Sequence, residues 1–230
     1  MNSIRTDVVG AGLVLALGAF SSSPRAQSEE IERLDEAGIV FEEVMGAADS
    51  AIPRTILRGA AGIAVFPSTV KGGLIIGAHR GRGVLSARMV ETGEWSAPAF
   101  LTLTGGSIGA QIGGQAIDLV LVVMNRRGLE NLVKNQFKIG GDASVAAGPI
   151  GRDAEASTDI QLRAQILSYS RTRGLFAGVT LKGTSIRQDR DANERFYDYP
   201  YRTRQLIFDG RGEMTDQVRA WTAILKKYTE

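Results

Sequence analysis

The sequence predicts an α+β fold: a glycine-rich, mainly antiparallel sheet curled toward a barrel or sandwich, flanked by N- and C-terminal helices. Three observations carry this expectation. Of 28 glycines, 21 lie between Gly59 and Gly183, and each Gly in a helix interior costs roughly 1 kcal/mol relative to Ala, so the middle of the chain does not read as a helix bundle. Short β-prone runs separated by glycine-bearing turns recur through that same middle. Outside it, apolar residues recur at spacings of three and four. With 230 residues, 43% hydrophobic and 23% charged, the chain can bury one core without metal or disulfide staples.

Residues 1–26 read as an export signal. Arg5 supplies the n-region charge, Val8 to Phe20 is an apolar and Gly stretch of 13 residues, and Ser21 to Ala26 is small and polar. The apolar stretch is too short to span a bilayer comfortably, and cleavage after Ala26 is expected although Asp7 and Pro24 depart from the ideal pattern. No Cys follows, so neither an acyl anchor nor a lipoprotein is expected. Export is therefore expected, with the periplasm of a Gram-negative bacterium as the expected compartment and peripheral membrane association left open. One domain from Gln27 to Glu230 is the simplest division of the rest.

Glu29 to Ala48 is the first helix, with Ser28 as its cap and Ile31, Leu34, Ala37, Phe41, Met45 and Ala48 as one apolar stripe. Its other face is acidic, which favours packing on the body over insertion into an anionic membrane. Pro53 opens a short helix through Arg58. Gly62 to Phe66 is a β run stopped by Pro67. Gly73 to Ala78 and Gly83 to Val90 read as two strands joined through His79-Arg80-Gly81-Arg82. Glu91 to Glu94 is a turn before Trp95. Ala99 to Thr104 and Asp118 to Met124 are strands on either side of a glycine-rich stretch, and Arg127 to Lys134 is a short helix. Ile166 to Arg171 and Leu175 to Leu181 form a hairpin around Arg173-Gly174. Asn193 to Tyr199 is aromatic and irregular. Thr215 to Tyr228 is a closing amphipathic helix with Val218, Trp221, Leu225 and Tyr228 on one face.

Several chemistries are tested and set aside. Gly105-Gly106-Ser107-Ile108-Gly109 matches a nucleophile elbow, but the single His of the chain, His79, precedes Ser107 instead of following it. A serine hydrolase using Ser107 is therefore a weak reading. One His and no Cys exclude the usual multi-His and thiolate metal sites. Neither a P-loop nor a complete dinucleotide fingerprint occurs. The G-xxx-G spacings of Gly105, Gly109 and Gly113 suggest a membrane helix, but Gln111, Gln115 and Asp118 interrupt it. Pairs such as Asp189/Asp191 and Glu42/Glu43 read as solvated surface. No catalytic residue, metal or cofactor is expected.

Charge is unevenly spread. Residues 29–49 hold eight acids and one base, a balance of −7, whereas residues 51–230 hold 24 Lys+Arg and 16 Asp+Glu, a balance of +8. Cations lie near glycine turns: Lys71, Arg80, Arg82, Arg88, Lys138, Arg171 and Arg173 are the candidate headgroup-binding set, with Arg126 and Arg127 beside them. Glycine lets backbone N–H groups approach an anion, and Arg forks a phosphate bidentately. Basic surfaces attract lipid and nucleic acid alike, and export favours lipid over nucleic acid.

The ordered blocks Ile52-Pro53, Gly62-Ile63-Ala64-Val65-Phe66-Pro67, Val70-Lys71-Gly72-Gly73, Gly81-Arg82-Gly83-Val84-Leu85 and Gly93 to Phe100 resemble the SYLF domain. Gly109 to Gly113, Asp118 to Leu121, Gly148 to Gly151, Tyr169 to Arg171 and Gly174 to Gly178 continue the resemblance, which runs from Ile52 to about Tyr197. It implies phospholipid and phosphoinositide binding, with actin binding and bundling in fungal and animal relatives, and export with lipid binding in bacterial ones. It implies no catalytic residues. Animal relatives use an N-terminal amphipathic segment on membranes; here that segment is acidic, so the role is not expected to transfer. Nor are adaptor roles that depend on SH3 or FYVE-like domains, and actin is an unfavoured partner for an exported chain. The expected partner is an anionic phospholipid or membrane surface. The alternative is an envelope protein-interaction module using Phe196-Tyr197-Asp198-Tyr199-Pro200-Tyr201.

Overall fold

The computed structural model describes residues 24–47, 51–72, 76–108, 115–139, 142–150, 164–172, 175–178 and 184–230. Nine strands within them form one curled sheet: β1 (Gly62–Gly72), β2 (Ile76–Ala87), β3 (Ala99–Ile108), β4 (Gln115–Val123), β5 (Gln136–Lys138), β6 (Val145–Ala147), β7 (Ile166–Thr172), β8 (Leu175–Gly178) and β9 (Thr184–Gln188). Their order is β5-β9-β3-β2-β1-β4-β7-β6, with β8 also on β7. Every pairing is antiparallel except β6 with β7. The helices are α1 (Pro24–Gly46), α2 (Arg54–Arg58), α3 (Arg126–Leu132), α4 (Arg190–Tyr197), α5 (Thr203–Ile207) and α6 (Asp216–Thr229). The α+β sheet with a helix at each end is the predicted class.

The central strands are buried on both faces, so alternate residues feed two cores. Ile63, Val65, Val84, Phe100, Val120, Val122 and Tyr169 face Leu34, Phe41 and Val44 of α1 and Val218, Trp221 and Leu225 of α6. Ala64, Phe66, Leu85, Leu101, Leu121 and Ile186 face Leu129 and Leu132 of α3 and Leu206 of α5. The acidic helix packs on the body as its stripe requires. Glu42 pairs with Lys227 at 2.9 Å, and Glu43 pairs with Arg171. A side chain at Gly38 would meet Ile224 Cδ1 at 2.9 Å, so glycine lets α1 and α6 cross closely. The closing helix is latched by its indole and its end: Trp221 Nε1 donates to Ser86 Oγ at 2.9 Å, and Trp95 Nε1 donates to Thr229 Oγ1 at 3.2 Å.

Five local expectations are corrected. First, Ser28 lies inside α1, which begins at Pro24, a residue suited to a first turn. Second, β1 runs through Pro67 to Gly72. Its register shifts between Phe66 and Thr69 against β4 and between Val65 and Val70 against β2. At such a bulge a residue lacking N–H forfeits no ladder bond. Ser68 adopts φ 44 there and donates its N–H to Asp118 Oδ1 at 3.0 Å. Third, His79-Arg80-Gly81-Arg82 is not a turn but the middle of the unbroken strand β2. Its glycines serve packing: a side chain at Gly83 would drive into the Val65 carbonyl and the Phe66 ring, and one at Gly81 into Thr69. Fourth, Asn193 to Tyr197 is helical within α4. Asp189 caps it by accepting from Ala192 N, and Asp198 closes it in the left-handed region. Fifth, Asp189 is not loose surface but is ion-paired to Arg33 and only 15% exposed, whereas Glu42 and Glu43 stay close to half exposed and pair with Lys227 and Arg171.

The turn at Gly93, with φ 72, the short helices α2 and α3, the hairpin β7–β8 and the closing helix agree with the sequence reading. Residues 109–114, 151–163, 173–174 and 179–183 lie outside the described residues. No described helix is long and apolar enough to cross a membrane; Ser107 and Ile108 end β3, and Gln115–Val123 form β4.

Candidate functional site

Register brings part of the predicted cation set together. Lys138 on β5 pairs with Ser185 on β9, Ser185 with Thr104 on β3, and Thr104 with Arg80 on β2. One step along the strands, Gln136 pairs with Arg187, Arg187 with Thr102, and Thr102 with Arg82. Cross-strand partners share a face. Lys138, Thr104, Arg80, Arg187, Gln136 and Arg82 are all exposed. The two rows are about 7 Å apart, and the span from β5 to β2 is roughly 14 Å, at about 4.8 Å per strand. The uncovered half of the sheet therefore presents three arginines and a lysine on one threonine- and serine-floored face. Arg187 Nη2 donates to Gln136 Oε1 at 3.1 Å, and Gln136 Nε2 donates to Ser185 Oγ at 3.3 Å, which holds one guanidinium over the sheet.

Arg80, Lys138 and Arg187 have no ion pair among the described residues, and Arg82 has one loose pair, 3.7 Å from Glu29 with both groups more than half exposed. Arg187 was missed by the sequence reading, which named no strand after Leu181; only the alternation Thr184-Ser185-Ile186-Arg187-Gln188 could have marked it.

The other predicted cations are not on this face. Arg171 is held by Asp118, at 2.7 Å from Nη2, and by Glu43. Burial lowers its pKa, but the hydrogen bonds that it donates to these two carboxylates, together with their charge, outweigh burial and raise it. Arg88 lies at the opposite end of β2, 5.3 Å over the Trp95 ring, with Nη2 donating to the Thr229 carbonyl at 3.5 Å. Lys71 pairs through its backbone with His79 and Gln115. Arg173 lies outside the described residues. Arg126 pairs with Glu130 at 3.2 Å and caps the Phe208 ring.

Beside the basic rows, α1 and β2 enclose an open cleft of about 730 Å³. Glu29, Glu32 and Glu36 form its helix wall, Arg80 and Arg82 its strand wall, and Arg33 part of its lining. Arg33 is only 5% exposed. Its Nη1 donates to Asp189 Oδ2 at 3.0 Å, and its guanidinium lies 5.2 Å over the Phe100 ring. Nε and Nη2 have no hydrogen-bond partner, and neither has the buried Oε2 of Glu30, but Nη2 lies 3.8 Å from Glu30 Oε1 as an ion pair. Glu30 Oε1 instead accepts from Arg195 Nη2 at 2.7 Å. Burial lowers the pKa of Arg33, opposed by its hydrogen bond and attraction to Asp189. Ser107 sits within β3 opposite Gly77, not on a strand-to-helix turn of the kind a nucleophile elbow needs.

A curled, doubly covered sheet with an open basic half is the class of molecule these observations define. A family model described as Ysc84, "Las17-binding protein actin regulator", matches residues 104–228. The chain is 33% identical over 183 residues to SH3 domain-containing YSC84-like protein 1 of Homo sapiens, covering 79% of this chain and 53% of that protein. It is 32% identical over 200 residues to LAS seventeen-binding protein 3 of Saccharomyces cerevisiae, covering 85% of this chain and 43% of that one. Protein YSC84 of the same yeast is 31% identical over 201 residues. The chain belongs to the Ysc84, or SYLF, family. It spans about half the length of the curated relatives it matches.

Proposed function

We propose that this protein is a non-enzymatic binding module for anionic phospholipid headgroups in the cell envelope, exported by the segment 1–26. The observation that supports this best is the pairing register that sets Arg80, Arg82, Arg187 and Lys138 on one uncovered sheet face. Each Lys or Arg near an anionic membrane surface contributes about 1 kcal/mol, so four suffice for reversible docking. The loose Glu29–Arg82 pair is worth at most about 1 kcal/mol and opposes docking little. Flotation with phosphatidylglycerol vesicles against pure phosphatidylcholine vesicles tests the reading. Binding confined to the acidic vesicles supports it, and equal binding to both, or to neither, overturns it. Export is checked separately by sequencing the mature N-terminus, with Gln27 as the expected first residue.

The relatives' names speak of Las17 and actin, and a filament co-sedimentation arm separates that chemistry from lipid. A second reading, a protein-docking surface around Tyr199, is favoured by one observation: Tyr199 is 55% exposed while its ring stands 4.5 Å from that of Tyr201. Crosslinking in intact cells, with Tyr199→Ala as control, tests it.

A further inference from the structure

We infer that the cleft between α1 and β2 is a binding site for a small zwitterion, a phosphate ester carrying a primary ammonium group. This goes beyond docking of acidic membranes on the sheet face, which shares Arg80 and Arg82 with the cleft but needs neither Arg33 nor the acids.

The argument begins with Arg33. Nε and Nη2 together form the side-on edge of a guanidinium, the edge that grips two oxygens of one oxyanion. Arg171 uses that same edge on Asp118, with Nε at 2.9 Å and Nη2 at 2.7 Å from Oδ2. In Arg33 the edge is buried and makes no hydrogen bond, with Nη2 only in a long ion pair 3.8 Å from Glu30 Oε1, on a side chain that lines the cleft and whose far nitrogen is already committed to Asp189. A buried donor pair left without an acceptor is costly, and an incoming phosphate oxygen pair satisfies it. Arg80, exposed and without an ion pair among the described residues, stands on the facing wall to share the charge.

The helix wall supplies the opposite chemistry. Glu29, Glu32 and Glu36 lie at i, i+3 and i+7, one face of α1. Glu32 and Glu36 have no ion-pair partner among the described residues. Three carboxylates repel a plain phosphate and three guanidiniums repel a plain amine, so the lining disfavours either half alone. It suits a ligand that carries both charges, with the phosphate toward Arg33 and Arg80 and the ammonium toward Glu32 and Glu36. A primary ammonium donates three hydrogen bonds, whereas a trimethylammonium donates none, so phosphoethanolamine is preferred over phosphocholine.

Calorimetric titration of the full chain at low salt tests this with O-phosphoethanolamine, phosphocholine, inorganic phosphate and ethanolamine as probes. Phosphoethanolamine is expected to bind roughly tenfold tighter than each of the others. Glu32→Gln with Glu36→Gln, both exposed and unpaired, should erase most of its preference over inorganic phosphate, a change on the order of five- to tenfold. Arg33→Lys should abolish binding; should that variant fail to fold, the glutamate pair still decides. No heat from phosphoethanolamine at millimolar concentration, equal affinity for inorganic phosphate, or a preference that survives in the double variant overturns the inference. Arg187→Ala with Lys138→Ala separates the two readings, since it weakens docking on acidic vesicles roughly 30-fold and leaves the titration unchanged. Phosphatidylethanolamine in otherwise phosphatidylcholine vesicles distinguishes the sources. Enhanced flotation identifies the lipid headgroup, and titration without flotation identifies the free ester.

Discussion

Tyr169 shows what a single buried group does here. Its ring fills the core beneath Gly148, where any side chain would strike it, and its hydroxyl has no hydrogen-bond partner. Burial raises its pKa well above the ordinary value, as it does for Tyr197, whose hydroxyl donates to the Pro98 carbonyl at 2.5 Å. The unfolded chain releases these protons near pH ~10, whereas the folded chain retains them. The stability they contribute is therefore complete below that pH and falls as pH rises through it. Denaturant midpoints measured across the alkaline range should drop, and Tyr169→Phe should lessen the drop. At neutral pH the same variant should match the parent or gain up to about 1 kcal/mol, because an unsatisfied hydroxyl is removed. Arg33→Met should instead cost about 3–5 kcal/mol in chemical unfolding, since Asp189 and Glu30 lose a buried counter-ion.

At the scale of elements, α1 is held by its apolar stripe more than by its charges. Phe41 is fully buried and meets the Tyr228 ring edge-on at 6.0 Å. Phe41→Ala should cost about 3–5 kcal/mol. Glu42→Gln or Glu43→Gln should cost no more than about 1 kcal/mol, because both carboxylates are close to half exposed. Thermal unfolding of the three variants side by side checks this ordering. That α1 packs on the body was legible, because a three-and-four apolar repeat opposite an acidic face has one low-energy placement. Its start was not, because Pro24 and Ser28 both suit a helix beginning and the local code does not choose between them. The strand β2 was misread for a related reason. Two glycines two residues apart look the same in sequence whether they bend a chain or make room for Phe66 and Thr69, and the bulged strand that needs the room is not local.

At the scale of the molecule, docking rests on exposed charge and should be salt-sensitive. Association with acidic vesicles should weaken steeply between low and physiological ionic strength, where the Debye length shrinks to about 8 Å. Arg80→Ala, Arg187→Ala and Lys138→Ala should each weaken it by about 1 kcal/mol. Arg171→Gln should leave it nearly unchanged, because Arg171 is neutralised by Asp118 and Glu43. Flotation across a salt series reads both effects. Of the predicted cations, Arg80, Arg82 and Lys138 share this face, Arg88 and Arg171 are taken up by other contacts, and Arg187 joins from a strand the sequence reading did not name.

From its residues alone the chain determined its class, its two terminal helices, most of its central strands and its family, because periodicity, glycine placement and ordered motifs are written along the backbone. Only the tertiary structure decided which cations stand together and which are already paired. Strand order and register depend on side chains far apart in sequence, and a surface cation acquires its role from the neighbours that folding brings to it.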